Sequence, residues 1–413
     1  MMLVACSSPE PEAQTSVVGP IAVNRIDSLL QNLVAEGKVA GISALVFEKG
    51  EEAYFGAYGY ANRNDSIPMA RNTLVQIYSM TKPITGTALM TLWEKDSFAL
   101  DDPLPRFAPE FNDMQVFLGL DNTGNMILEP AHRDISIRDI TRHTAGFPNR
   151  PDTIGLGKAL LDAAPLDRNK TLDEMAAAFG DLPLGFHPGS QWEYGPSVDV
   201  QALVVQRISG KPYRDYLREN VLDPLGMRDT RYTVPESDAN RFSAMYRLGE
   251  DGLEQLPDSL AKIEQSREWP LARGGWGLTS TLDDYMRFAR MLLGGGSLDG
   301  VRVLEPETVK LMATNHLPDS VTERSWLPSK GQVGFGIDFA VRVAPPKDAA
   351  ENNGRVGEFY WDGAASTLFW VDPANELAAV LFVQLFPYDP IGLHKNFRDA
   401  VYGPWRPEPT ETE

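Results

Sequence analysis

One cysteine, Cys6, stands in 413 residues. A lone cysteine forms no intrachain disulfide and leaves no cysteine-rich metal site. Histidine is nearly as scarce: the five are scattered, and no His-Glu-x-x-His spacing occurs, which argues against a zinc enzyme. No apolar run reaches the ~18 residues that cross a membrane. Positive charge is in deficit, with 38 Lys and Arg against 57 Asp and Glu, a net charge of −19. A field of that sign repels phosphate backbones and argues against nucleic acid as a partner. There is no Gly-x-Ser-x-Gly elbow and no Walker loop, so neither an α/β-hydrolase nor a nucleotide-binding reading has its main support. No pattern calls for a cofactor. What is present is ordinary for a globular chain, 43% apolar and 23% charged residues. The length suggests two or three structural units.

The two ends read differently from the rest. Leu3-Val4-Ala5-Cys6 resembles a bacterial lipoprotein cleavage box, followed by the polar stretch Ser7 to Val18. Residues 1–20 are therefore expected to be a disordered tether or signal remnant, with Cys6 as a lipid anchor and a periplasmic or cell-envelope location. Only Met1 and Met2 precede the box, so the charged and apolar regions of a signal peptide are missing. The other reading is a stray cysteine on a cytoplasmic protein. Residues 406–413 read as a polar tail. Nothing in the sequence sets the oligomeric state.

Between the ends, apolar spacing predicts a helix over Ile21 to Ala35, stopped by Gly37. Gly41–Phe47 and Ala53–Tyr60 read as a β-hairpin. Strands are expected again late in the chain, at Val333–Val343, Glu358–Val371 and Glu376–Leu385, before a last helix over Ile391–Val401. The middle reads as helical, at Thr87–Trp93, Ile137–Thr141, Leu172–Phe179, Val198–Ile208 and Leu282–Leu293. The fold class is thus α+β: an antiparallel sheet built from both termini and flanked by helices, with a mainly helical insertion. Residues 21–78 and 300–405 would form the α/β unit and 79–299 the helical one, with chemistry in the cleft between them.

Three segments could carry chemistry. In Ser79-Met80-Thr81-Lys82, Pro83 pins a helix start near Ser79, because its missing N–H falls among positions that lack intrahelical partners. Ser79 and Lys82, three apart, share a face. A serine at the positive end of the helix could be a nucleophile, and a buried lysine below it could act as a base. The plainer reading is an N-cap and a surface lysine. Ser259-Leu260-Ala261-Lys262 repeats the spacing in a polar context and serves as an internal control. Tyr194, in Trp192-Glu193-Tyr194, could relay protons if nearby cations lower its pKa, or could simply plug a loop. Gly363, in Trp361-Asp362-Gly363-Ala364, marks either a close approach that turns the Ala364 N–H toward an oxyanion, or a bulge. His143-Thr144-Ala145-Gly146 reads as a helix stop, with Gly146 as cap and His143 bonding the last carbonyls. Gly274-Gly275-Trp276-Gly277 reads as a turn, with lining the cleft as the alternative.

In this order and spacing, these blocks resemble the serine β-lactamase and penicillin-binding superfamily, and within it the class C β-lactamase-like family VIII carboxylesterases. The resemblance runs from about Ile21 to about Trp405. It implies Ser79 as nucleophile, Lys82 as its base and Tyr194 as proton shuttle. The backbone N–H groups of Ser79 and Ala364 would form the oxyanion hole. Trp361, Asp362 and Gly363 would take the place of the Lys-Thr-Gly strand and touch substrate. No metal is implied. Two departures bear on substrate: Pro196 stands where β-lactamases carry the Asn of Tyr-x-Asn, and Trp361 where they carry a lysine. Both favour a neutral ester over an anionic lactam. The expected function is a serine carboxylesterase for small short-acyl esters. The alternatives are a β-lactamase or D-alanyl peptidase, and a non-catalytic penicillin-sensing or cell-wall-binding protein.

Overall fold

The structure is a computed structural model and describes residues 16–407. Cys6 and its surrounding box lie outside the described residues. From Ser16 the chain is already moored. The Ser16 hydroxyl donates to Glu48 at 2.6 Å, and the Val17 and Val18 N–H groups donate to the same carboxylate at 2.6 and 3.0 Å. Helix α1 (Pro20–Ala35) follows, buried along Ala22, Ile26, Leu30 and Leu33 and ended before left-handed Gly37. Strands β1 (Gly41–Glu48) and β2 (Glu51–Asn62) form the expected hairpin. Lys49 and Gly50 both have positive φ, as a two-residue hairpin turn requires.

The main sheet adds β3 (Ile67–Pro68), β4 (Val333–Phe335), β5 (Ala340–Arg342), β6 (Phe359–Asp362), β7 (Leu368–Asp372) and β8 (Leu377–Val383). Its order is β4-β5-β6-β7-β8-β1-β2-β3, with every pairing antiparallel. The join between the two ends of the chain is β1 on β8, from Ile42 opposite Val383 to Glu48 opposite Leu377. Every residue of β8 is buried, so the sheet is covered on both faces. Two of the expected long strands each fold as two. Val333–Val343 doubles back between β4 and β5, where a side chain at Gly336 would strike the Met312 carbonyl and Asp338 takes φ of 60°. Glu358–Val371 doubles back at Gly363, between β6 and β7. Apolar content announces a strand but does not say where a continuous run reverses.

The middle of the chain supplies α2 (Thr81–Trp93), α3 (Ile137–Thr141), α4 (Gly155–Ala163), α5 (Leu172–Gly180) and α6 (Ser197–Ser209). Capping boxes at Ser136/Asp139 and Thr171/Glu174 set the starts of α3 and α5. Helix α7 (Leu282–Leu293) lies within the stretch expected to be helical insert, yet it packs across β1, β7 and β8. Its buried Tyr285 and Phe288 meet Phe369 of β7 with ring centroids 5.0 and 6.4 Å apart. A hairpin of Gln115–Leu120 and Met126–Pro130 also interrupts the helical region. Helix α8 (Leu393–Tyr402) closes the chain and packs on α1.

The far edge of the sheet is tied to α8 by charge. Glu358, fully buried, accepts from Arg342 of β5 at 3.0 Å and from Arg398 of α8 at 2.9 Å. Removing one partner of a buried ion pair leaves the other charge desolvated and unpaired, at a cost of about 3–5 kcal/mol. Glu358→Ala is therefore expected to lower the urea-unfolding free energy by about that amount. A loss below 1 kcal/mol would show that the two arginines find other partners.

Candidate active site

The chain reaches Ser79 through a strained turn. Tyr78 takes φ of 45°, unusual for a bulky residue, and is held there by stacking on Trp276 at 5.8 Å and an edge contact with Phe386 at 5.7 Å. A short 3-10 turn, Tyr78–Met80, then runs into α2, with Pro83 in the first turn as the sequence predicts. Every residue of α2 from Thr81 to Leu92 is buried. Lys82 is thus carried into the interior. Its Nζ lies 3.2 Å from Ser79 Oγ and donates to the Gly275 carbonyl at 2.7 Å. Burial lowers its pKa to about 8, against the opposing pull of the Asp199, Asp338 and Asp362 carboxylates.

Tyr194 arrives on the loop before α6. Its ring lies 4.5 Å from Lys82 Nζ, and its hydroxyl accepts from the Trp361 indole N–H at 3.2 Å. Nearby cations do not lower its pKa. Burial pushes the phenol well up, and hydrogen bonding from Ser79 and Trp361 only partly opposes this. Tyr194 therefore rests as a neutral phenol. His143 takes the left-handed position after α3, with φ of 60°. It does not bond the last helix carbonyls. Its ring packs 4.8 Å from that of Tyr194, and its Nδ1 accepts from the Gly195 N–H at 3.4 Å. Burial and the nearby Lys82 hold the imidazole neutral.

Trp361 is fully buried, so it does not form a wall of the cleft. Its ring is held between Tyr194, Trp326 and Phe335, with centroids 5.2, 5.8 and 5.3 Å away. Asp362 likewise points inward. It pairs with the buried Lys330 and accepts from the Tyr388 hydroxyl at 2.9 Å. Gly363 is needed for a close approach, because a Cβ there would strike Thr367 and the Ile77 carbonyl two residues before Ser79. That contact brings the β6–β7 turn, with half-buried Ala364, beside the start of α2. Ser259 is exposed on the short helix Asp258–Ala261, and Lys262 pairs there with Asp258 at 2.9 Å. The second Ser-x-x-Lys is remote in character as well as in sequence.

The glycine run and several residues that the sequence did not single out complete the site. The Gly274–Gly277 segment contributes directly, so the cleft-lining reading replaces the plain turn. Gly275 gives its carbonyl to Lys82 and its N–H to Asp199 at 3.0 Å, and a Cβ on Gly274 would strike the Val198 carbonyl. Asp199, at the start of α6, is buried, and burial raises its pKa. Asp338 is buried against Gly86 of α2, accepts from Gln201 at 3.0 Å, and has its pKa raised by desolvation. Asn149 donates to the Tyr194 carbonyl and supplies an amide close to Pro196, which has none. Lys82, Tyr194 and Trp276 open into a cleft of about 700 Å³, walled by Leu160, Leu161, Leu166 and Phe179. Of these newcomers, only the glycine run carried a local signal. The others are brought together by folding alone.

Among the described residues, Glu129, His132 and His187 bring potential metal ligands within 4.8 Å of one another. His187 already bonds Glu129 at 2.7 Å, and the two imidazoles stack in parallel at 3.5 Å. Parallel rings at that separation are poorly placed to aim both lone pairs at one ion.

The geometry can be set beside known proteins. The chain is 35% identical over 356 residues to protein Rv1367c of Mycobacterium tuberculosis, covering 85% of this chain and 87% of that one. It is 28% identical over 404 residues to esterase EstB of Burkholderia gladioli, covering 92% and 94%. Its fold superposes on EstCE1, described as a hydrolase with promiscuous acyltransferase activity, with a TM-score of 0.75 and 24% identity over 92% of this chain and 98% of that one. A family model described as Beta-lactamase matches residues 26–403, the sheet, the helical region and the cleft together. A serine–lysine pair at the start of a buried helix, on an antiparallel sheet made from both ends of the chain, thus places this protein in the Beta-lactamase family of serine hydrolases.

Proposed function

We propose that the protein is a carboxylesterase that hydrolyses small short-acyl esters through an acyl-Ser79 intermediate. The observation that carries the reading is Lys82. Its Nζ lies 3.2 Å from Ser79 Oγ, and burial makes the neutral amine accessible near neutral pH. At a pKa of about 8, roughly a tenth of the lysine is neutral at pH 7, against about one part in three thousand at its ordinary value. As Ser79 Oγ bonds to the ester carbonyl carbon, its proton passes to Lys82 Nζ. The oxyanion is stabilised by the Ser79 and Ala364 N–H groups. Tyr194, a neutral phenol beside both, passes a proton to the departing alcohol and is restored from Lys82. Water then attacks the acyl-enzyme by the reverse relay.

The apolar walls of the cleft suit the acyl and alcohol groups of a small neutral ester. The esterase EstB and this chain share the family, which supports the same preference. Trp361 bears on the reaction through Tyr194 rather than by touching substrate. A β-lactamase or D-alanyl peptidase would instead turn over a chromogenic cephalosporin faster than a nitrophenyl ester. A penicillin sensor would hold a stable acyl-Ser79 mass adduct without turnover.

Ser79→Ala is expected to remove on the order of 10⁴–10⁶ of the turnover of a short nitrophenyl ester, while Ser259→Ala leaves it within about twofold. Near-normal turnover in purified Ser79→Ala would sink the nucleophile assignment.

The base must be neutral to work, so kcat/KM is expected to rise with pH and level off above an inflection near 8. A profile already flat between pH 6 and 9 would remove Lys82 as base.

Trp361→Phe keeps the ring and removes the indole N–H. One hydrogen bond is worth about 0.5–1.5 kcal/mol, so kcat should fall roughly 2–12-fold with KM little changed. Equal kcat in the variant would show that Tyr194 needs no donor there.

A further inference from the structure

The cleft that opens on Lys82 is not apolar throughout. Besides its leucine and phenylalanine walls it is lined by three cations, Lys82, Arg168 and Arg273, against two carboxyl groups, Asp167 and Asp199. Both acids are already engaged. Asp167 accepts from the N–H and the side-chain amide of Asn169 at 2.8 and 2.9 Å, and Asp199 accepts from the Gly275 N–H at 3.0 Å. Burial also raises the Asp199 pKa. On a chain of net charge −19 the cleft is thus a local region of opposite sign, and such a cleft concentrates anions from solution.

Two of the three cations have partners. Lys82 is held by the Gly275 carbonyl and Ser79 Oγ, and Arg168 pairs with Glu264 at 3.2 Å. Arg273 differs. No described carboxylate comes within ion-pair distance of its guanidinium, and Asp199 and Glu264 act on it only from further off. Its Nη2 donates to the Leu166 carbonyl, its Nε is sealed without a partner, and its Nη1 bonds no described group and is not sealed. The guanidinium lies over the Trp276 ring at 4.6 Å, and Trp276 stacks on Tyr78, the residue before Ser79. Two residues further along the chain, at most about 7 Å away, the Gly275 carbonyl holds Lys82. Burial disfavours the guanidinium charge, yet arginine does not give up its proton in a protein. A desolvated cation without a counter-ion, set against a ring in the wall of a substrate cleft, is completed by an anion that the cleft admits. One free nitrogen and one uncompensated charge match a carboxylate, whereas a dianionic phosphate would keep a charge unpaired.

We propose that Arg273 binds a carboxylate carried on one arm of the ester, so that the substrates are hemi-esters of dicarboxylic acids or acyl esters of hydroxy acids. The apolar walls then take the carbon chain between that carboxylate and the ester group. Arg273 stands on a different element from Trp361, the strand position at which the resemblance places a lysine. The claim rests on the esterase reading for the bond that is cut, but the anion site can be read without turnover.

The test uses the full chain and two matched pairs of esters. Comparing p-nitrophenyl hydrogen adipate with p-nitrophenyl hexanoate puts the carboxylate on the acyl arm. Comparing 3-acetoxybenzoate with 3-tolyl acetate puts it on the alcohol arm. In one pair the wild-type kcat/KM is expected to favour the carboxylate, and Arg273→Gln should lower that ratio by about 10–100-fold, as for loss of a charge-assisted hydrogen bond. Arg273 also helps to lower the Lys82 pKa, but that effect is common to both members of a pair and cancels in the ratio. Arg273→Lys keeps the charge and should hold part of the preference. No preference in either pair, a preference that survives Arg273→Gln, or a variant in which both members of each pair fall together overturns the proposal. Calorimetry on Ser79→Ala reads the site without turnover and without touching Arg273. Tighter binding of the carboxylate member of one pair supports the anion site even if the wild type hydrolyses no ester, and in that outcome only the esterase reading falls. Equal binding within both pairs overturns the anion site whatever the turnover.

Discussion

Lys82 sits in the first turn of a helix with no exposed residue from Thr81 to Leu92, and its ammonium is almost wholly withdrawn from water, meeting it only at the cleft. Burial of a charge in that position is costly, and the fold answers not with a direct counter-ion but with two hydrogen bonds, to the Gly275 carbonyl and Ser79 Oγ, and the face of the Tyr194 ring. Three carboxyl groups stand further off and limit how far the pKa falls. Two of them, Asp199 and Asp338, are themselves desolvated, and burial raises their pKa values. The poise of the lysine is therefore a property of the packing around α2, and the rest of the site is arranged around it.

The aromatic layer behind Tyr194 follows from the same constraint. A neutral phenol can serve the proposed relay only if its hydroxyl is aimed, and the indole N–H of Trp361 does this from a ring packed among Trp326, Phe335 and Tyr194. Behind that layer the buried Lys330 and Asp362 are joined by the hydroxyl of the exposed Tyr388, with the Lys330 ammonium 5.1 Å from the Trp361 ring. The strand that carries Trp361 is thus tied by charge on its inner side and by Gly363 against the turn before Ser79.

What could be seen in the sequence was what local spacing encodes. The Ser79–Lys82 pair lies within one helical turn, Pro83 marks its start, and the bounds of α7 follow from Thr281 as cap and the glycines after Leu293. The β1–β2 hairpin was equally plain from its apolar runs. The direction of Trp361 was not, because a strand residue can face the cleft or the core and only tertiary packing decides. The reversal between β4 and β5 was hidden because Gly336 and Asp338 act through Met312 and Gly86, far away in sequence. Lys330, Asn149 and Asp338 gave no local sign at all. Each acquires its role from a partner more than thirty residues distant.

The pairing of β1 with β8 has a consequence for how the chain is made. Glu48 is opposite Leu377, 329 residues later in synthesis. At about 5–20 residues per second, β1 waits roughly 15–65 s on the ribosome before its neighbour exists. During that time an interior strand rich in Ile, Leu, Val and Phe presents an unpaired edge, and α1 lacks the terminal helix on which it packs. The region that carries Ser79, Lys82 and Tyr194 is complete earlier but has no sheet to rest on. Assembly of the site is thus a post-translational event, and the nascent amino-terminal hairpin is the segment most in need of a chaperone.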